Sequence, residues 1–96
     1  MSDVVTKAVD ALNEKMAGRP FDGSAKFVIE GEGAVIIDEN GAHAGDEDTE
    51  VTLTADSDTF ESILSGDLDA TAAFMTGKLT VDGDMGLAMK LGSVLA

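Results

Sequence analysis

Cysteine, tryptophan and tyrosine are absent from this sequence, which has one proline and one histidine. Without cysteine there is no disulfide, no thiolate nucleophile and no sulfur ligand for zinc. The lone histidine, His43, excludes the usual multi-histidine metal sites. Basic residues are also scarce: 6 Lys and Arg stand against 19 Asp and Glu, a net charge of −13. A surface of that sign repels nucleic-acid phosphates and anionic headgroups, so neither a nucleic-acid partner nor stable membrane association is expected. No apolar run approaches the ~20 residues needed to span a bilayer. The opening residues, Met1-Ser2-Asp3-Val4-Val5, lack the basic and apolar blocks of a secretory signal. Residues 92–96, Gly-Ser-Val-Leu-Ala, do not have the form of a peroxisomal Ser-Lys-Leu ending. The expected location is cytoplasmic.

What remains is a chain of 96 residues, 44% of them hydrophobic. That length suits a single domain over residues 1–96, with one core and little stability to spare. The aromatic content is four Phe. Core volume must therefore come from aliphatic residues and from the five Met, whose flexible thioethers fill gaps or accept varied apolar shapes.

The periodicity predicts an α+β order. Residues 2–17 read as an amphipathic helix, with Val5, Ala8, Val9, Leu12 and Met16 in one stripe. Ser2 is the candidate N-cap, and Gly18 with Pro20 forms the stop. Strands follow over 25–30 and 34–38, joined by a Gly31-Glu32-Gly33 turn. Asn40-Gly41 then signals a hairpin into a short strand at 42–44. An acidic loop, 45–50, precedes a strand in which Val51 and Leu53 alternate with Thr52 and Thr54. Asp56 or Ser57 caps a helix carrying Phe60, Ile63 and Leu64, which ends at Ser65-Gly66. Asp69 caps a shorter helix with Phe74 and Met75, closed by Gly77. A last strand, 78–82, leads through Gly83 and the cap Asp84 into a helix over 85–95.

That final helix carries the most information. Its polar positions are Lys90 and Ser93. Met85, Ala88, Met89, Gly92 and Leu95 line one side; Leu87, Leu91 and Val94 line another. A helix apolar nearly all round is normally buried. In so small a domain, either the helix is central or its second face lines a cavity or a partner surface.

Catalytic patterns are missing. There is no G-x-S-x-G elbow, and His43 sits beside an acidic loop with no nucleophile assigned to it. The 46–50 run, Asp-Glu-Asp-Thr-Glu, lacks calcium-loop spacing: after Asp38 and Asn40, Ala42 stands where a ligand belongs and His43 where Gly is required. Gly31-Glu32-Gly33 lacks the third Gly of a dinucleotide fingerprint and joins two strands. No cofactor and no enzymatic activity are expected of the chain by itself.

Four segments resemble one family. They are Val-Thr-Leu-Thr-Ala-Asp-Ser-Asp at 51–58, Ile63-Leu64-Ser65-Gly66, Ala73-Phe74-Met75-Thr76-Gly77-Lys78-Leu79, and Gly83-Asp84-Met85-Gly86-Leu87-Ala88-Met89-Lys90-Leu91. In that order and spacing they resemble the sterol carrier protein type 2 family, whose pattern includes Ala-Phe-x-x-Gly-Lys-Leu and a final Gly-[Asn/Asp]-Met-x-Leu-Ala-x-Lys-Leu helix. The resemblance implies a five-stranded, largely antiparallel sheet covered on one face by about four helices, with an apolar tunnel between. It implies a non-catalytic carrier for fatty acid, acyl-CoA, sterol or similar lipid, either free-standing or fused to lipid enzymes. It places Phe74, Met75, Met85, Leu87, Met89 and Leu91 in segments that approach the tunnel, with Phe60 and Leu64 as further candidates. Two departures stand out: a final segment shorter than in animal members, which would leave the tunnel more open or shift its mouth, and a far more acidic composition, which disfavours binding of acyl-CoA phosphates. The alternative reading is an accessory or scaffold module that uses the apolar C-terminal helix for protein–protein contact.

Overall fold

The computed structural model describes residues 3–17 and 21–95. The expected cap at Ser2 and stop at Gly18-Pro20 lie outside them. The elements run α1 (Asp3–Met16), β1 (Ala25–Glu30), β2 (Gly33–Asp38), β3 (Gly41–Ala44), β4 (Val51–Asp56), α2 (Ser57–Ser65), α3 (Ala70–Met75), β5 (Thr80–Gly83) and α4 (Met85–Leu95).

The strands form one sheet in the order β3-β2-β1-β4-β5. The β1–β2, β2–β3 and β4–β5 pairs are antiparallel. The central β1–β4 pair is parallel, so the sheet is mixed. Alternation decides which side is covered. Ala25, Phe27 and Ile29 of β1 and Val51, Leu53 and Ala55 of β4 are buried, while Lys26, Val28, Thr52 and Thr54 between them are only partly so. In register, Phe27 lies between Val35 and Leu53, and Leu53 lies beside Val81. This row faces the helices. Phe60 of α2 meets Phe27 edge-on at 4.5 Å between ring centroids, a favoured aromatic arrangement. Phe21, Phe27 and Phe60 are all buried, whereas Phe74 is 42% exposed.

α1 seals the β2–β3 end. Val5, Ala8, Leu12 and Met16 are at most 4% exposed, matching their stripe on the helix. Edge strand β3 is tied down by the same helix: the Asn13 Oδ1 atom accepts from the Ala42 N–H at 2.8 Å, and the Asn13 amide donates to the Ala42 carbonyl at 3.0 Å. The outward main-chain groups of that edge residue are thus paired, which blunts the edge. At the adjoining hairpin only Gly41 takes a positive φ, +115°; Asn40 does not. A Cβ at Gly41 would stand 2.6 Å from Asn13 Oδ1, so the turn glycine also makes room for this clasp.

On the opposite face the acidic loop folds back over the sheet. Lys26 Nζ meets Asp46 Oδ1 at 2.8 Å. A Cβ at Gly45 would lie 3.3 Å from Ile36 Cγ1, and Ile36 is 2% exposed although it points away from the helical layer.

Candidate functional site

The helix termini place the site walls. α2 begins at Asp56, whose carboxylate accepts from the Thr59 N–H at 2.7 Å, and ends at Gly66 in the left-handed region. α3 begins at Asp69, whose Oδ1 accepts from the N–H groups of Thr71 at 2.7 Å and Ala72 at 3.4 Å. α4 begins after Asp84, which accepts from the Leu87 N–H at 3.1 Å. Short polar side chains at these positions satisfy the free N–H groups of a first helical turn.

The last strand starts later than the sequence pattern predicts, at Thr80 rather than Lys78. The Lys78 and Leu79 N–H groups instead donate to the Ala73 carbonyl at 2.9 and 3.1 Å. The chain is therefore held against the end of α3 before it joins the sheet. Gly83 closes the strand with φ +114°, and a Cβ there would stand 2.5 Å from the Glu50 carbonyl oxygen. Only glycine lets the chain turn this close to β4 and enter α4.

Between α3, α4 and the sheet edge lies an apolar cavity of about 260 Å³. Leu53, Leu79 and Val81 form its floor. Ala70, Thr71, Phe74 and Met75 of α3 make one wall, and Met85, Ala88, Met89 and Gly92 of α4 the other. The α4 residues follow three- and four-residue steps, which bring them to one face. The two walls converge where a Cβ at Gly92 would be 3.4 Å from the Ala70 Cβ. Phe74, Met75, Met85 and Met89 are 42%, 78%, 47% and 67% exposed. The lining contains one hydroxyl, on Thr71, and no ionisable group. Such a lining can desolvate a hydrocarbon; it has no base, nucleophile or metal-ligand set.

The eight residues singled out from sequence divide into three groups. Phe74, Met75, Met85 and Met89 come together around this cavity. Phe60 and Leu64 lie instead along a groove of about 330 Å³ between α2 and α1. Leu91 is fully buried, and Leu87 packs against the core, with its Cδ2 atom 2.8 Å from where a Gly23 Cβ would be. Leu87 and Leu91 are four positions apart and so share a face of α4 that points into the molecule, while the Met residues lie on another face. The sequence reading left out Leu53, Leu79, Val81 and the small residues of both walls. Alternation along β4 marks Leu53 as inward-facing, but its place under the cavity follows from pairing with Val81 across the β4–β5 ladder.

Two other hollows carry ionisable groups. A larger one, about 570 Å³, lies by the β1–β2 turn, where Val5, Val28 and Ile29 line it together with Glu30, Glu32 and Asp46. Another, about 380 Å³, is ringed by Asp22, Asp38, Glu39 and Glu50. Among the described residues no group of three or more His, Cys, Asp or Glu is placed to hold a metal ion, and no helix is long and apolar enough to cross a membrane. His43 Nε2 meets Glu47 Oε2 at 2.9 Å on the surface.

A family model described as the SCP-2 sterol transfer family matches residues 7–96. Hydroxysteroid dehydrogenase-like protein 2 of Xenopus tropicalis is 36% identical over 97 residues, covering 93% of this chain and 23% of that protein. The chain thus spans about a quarter or less of the length of the first curated relatives it matches. The sterol carrier protein domain 2 of Helicoverpa armigera superposes with a TM-score of 0.76 at 27% identity, over 96% of this chain and 85% of that one. Sterol carrier protein-2 of Aedes aegypti, solved as a complex with palmitate, superposes with a TM-score of 0.80 at 24% identity, over 100% and 97% of the two chains. With the match running from within α1 to the end of α4, the chain belongs to the SCP-2 sterol transfer family, whose fold is that of a lipid carrier.

Proposed function

We propose that this chain is a non-catalytic carrier that holds the hydrocarbon part of a fatty acid, acyl-CoA, sterol or similar lipid in the cavity between α3 and α4, and that it works in the cytoplasm. Phe74, Met75, Met85 and Met89 are the residues assigned to contact the ligand. The observation that carries this reading is that four large apolar side chains remain exposed around a cavity with no ionisable lining. Exposed apolar surface gathered into one patch marks a binding site, since scattered apolar residues need no partner. Each methylene taken from water contributes ~0.8 kcal/mol, so one acyl chain supplies micromolar affinity without a polar anchor. Thioether side chains adapt to chains of different shape. The palmitate complex of the Aedes aegypti protein supports the same use of a shared fold.

The test is native mass spectrometry of delipidated protein incubated with a panel of palmitate, methyl palmitate, palmitoyl-CoA and cholesterol. A one-to-one complex with at least one of them is expected, with saturable displacement of a fluorescent lipid by the same compound. A protein that stays free across the whole panel overturns the carrier assignment.

A further inference from the structure

The cavity between α3 and α4 is a slot with one closed end. The helices meet there: Ala70, the first residue of α3, faces Gly92, near the end of α4, and a Cβ at Gly92 would be 3.4 Å from the Ala70 Cβ. The far ends of the same walls, Met75 and Met85, also line the slot, and both are exposed. The two helices therefore run in opposite senses and part from a shared vertex. Leu53, Leu79 and Val81 close the slot from below.

Its length follows from α4, the longer wall. Met85 and Gly92 are the outermost lining residues of that helix, and at 1.5 Å per residue they are about 10 Å apart along its axis. An extended chain advances about 1.2 Å per bond, so this wall covers about nine carbons. The volume gives the same count by a separate route. A methylene needs about as much room as one water, about 30 Å³, and the slot of about 260 Å³ therefore holds about nine of them. Length and volume agree only when the slot is one hydrocarbon chain wide. A slot wide enough for a fused-ring body would hold many more carbons than its length allows for a single file.

We propose that the cavity is a ruler for one straight hydrocarbon chain of about nine carbons, taking medium-chain lipids in preference to fused-ring ones and gaining little from further chain length. This rests on the carrier reading and names its ligand class. Inside the slot each added methylene leaves water and strengthens binding about fourfold. Past Met75 and Met85 an added methylene stays in water, and the gain stops. Small residues set the capacity: Ala70, Ala88 and Gly92 all line the slot, and each carbon added to one of them takes the room of one ligand carbon.

The experiment holds the head constant and varies the chain. Straight alkan-1-ols from butan-1-ol to tetradecan-1-ol, and cholesterol, compete against the dye Nile red. Affinity is expected to rise about fourfold per methylene up to about nine carbons and by less than about twofold per methylene beyond that. Cholesterol should displace the dye less effectively than decan-1-ol. Ala88→Leu, which adds three carbons to the wall, should move the break about three carbons shorter. Gly92→Ala, which adds one, should move it about one carbon shorter; it supplies the same check if the larger side chain prevents folding, which circular dichroism shows. A fourfold gain that continues through tetradecan-1-ol, cholesterol binding as tightly as decan-1-ol, or a break that stays in place in a folded variant overturns the ruler and leaves the carrier reading standing. If Nile red does not bind and native mass spectrometry finds no complex with any of these compounds, the carrier reading falls and takes the ruler with it.

Discussion

Two ends of one sheet face apolar helices, with opposite outcomes. At the β2–β3 end, α1 brings Val5, Ala8, Leu12 and Met16 onto the sheet and leaves them at most 4% exposed. A side-chain clasp from Asn13 to Ala42 locks that contact. At the β4–β5 end, α3 and α4 sit over Leu53, Leu79 and Val81 but do not close on them, and Phe74, Met75, Met85 and Met89 stay 42–78% exposed. The first end is a core; the second has the same composition and a cavity of about 260 Å³. Apolar composition alone does not make a core. Closure depends on whether the helix meets a partner surface along its whole length, and α3 has only the six residues Ala70–Met75 with which to do so.

The contrast can be broken from either side. Leu12→Ala, in the sealed end, should cost about 3 kcal/mol of unfolding free energy in a denaturant titration, because it opens a void that the packed neighbours cannot fill. Lipid affinity per folded molecule should be unchanged. Met89→Asp should do the reverse. It should weaken lipid binding by about thirtyfold, near 2 kcal/mol, by setting a charge against hydrocarbon, while the melting temperature stays close to that of the parent because Met89 is already 67% exposed. A matched loss of stability in Met89→Asp would show that the two ends are not separable.

Asn13→Ala should cost about 1–2 kcal/mol, since both main-chain groups of Ala42 lose their partner; hydrogen exchange should rise first in β3. The smallest expected effect is pH-dependent. The Thr59 main-chain N–H and then its hydroxyl hold the Asp56 carboxyl below its ordinary value of 3.8, with a weaker pull from the charge of Lys78. A group whose folded pKa is depressed stabilises the fold above its unfolded pKa, and that stabilisation is lost as pH falls through the folded value. Asp56→Ala should therefore be less stable than the parent at neutral pH, and the two should converge in acid below the ordinary carboxylate range. A gap that persists unchanged into strong acid would assign the effect to helix propensity instead of the charged cap.

Local features were legible in the residues. The caps Asp69 and Asp84, the stop at Gly66 and the stripe of α1 each depend on neighbours within four positions, so the pattern suffices; at α2 it left Asp56 and Ser57 open, and the structure caps the helix with Asp56. The resemblance in 73–79 and 83–91 led to the correct family. The start of β5 was not legible, because Lys78 and Leu79 donate to Ala73 rather than to β4, and a β-type alternation cannot reveal which acceptor wins. The division of the apolar candidates was equally hidden. Phe60 and Phe74 are chemically the same, yet one is 1% exposed and the other 42%. Leu87 and Met89 are neighbours on one helix and face opposite surroundings.

A helical turn or a hairpin closes over a handful of residues, and their own chemistry selects it; that is why the element order, the caps and the surplus of apolar surface on the last helix could be read in advance. A cavity is a long-range object. It exists here because Val81 pairs with Leu53 across the ladder while α3 and α4 approach each other at Gly92 and Ala70 without meeting over that floor. Which greasy side chains were hidden and which were left facing the cavity was settled by packing between segments far apart in the chain.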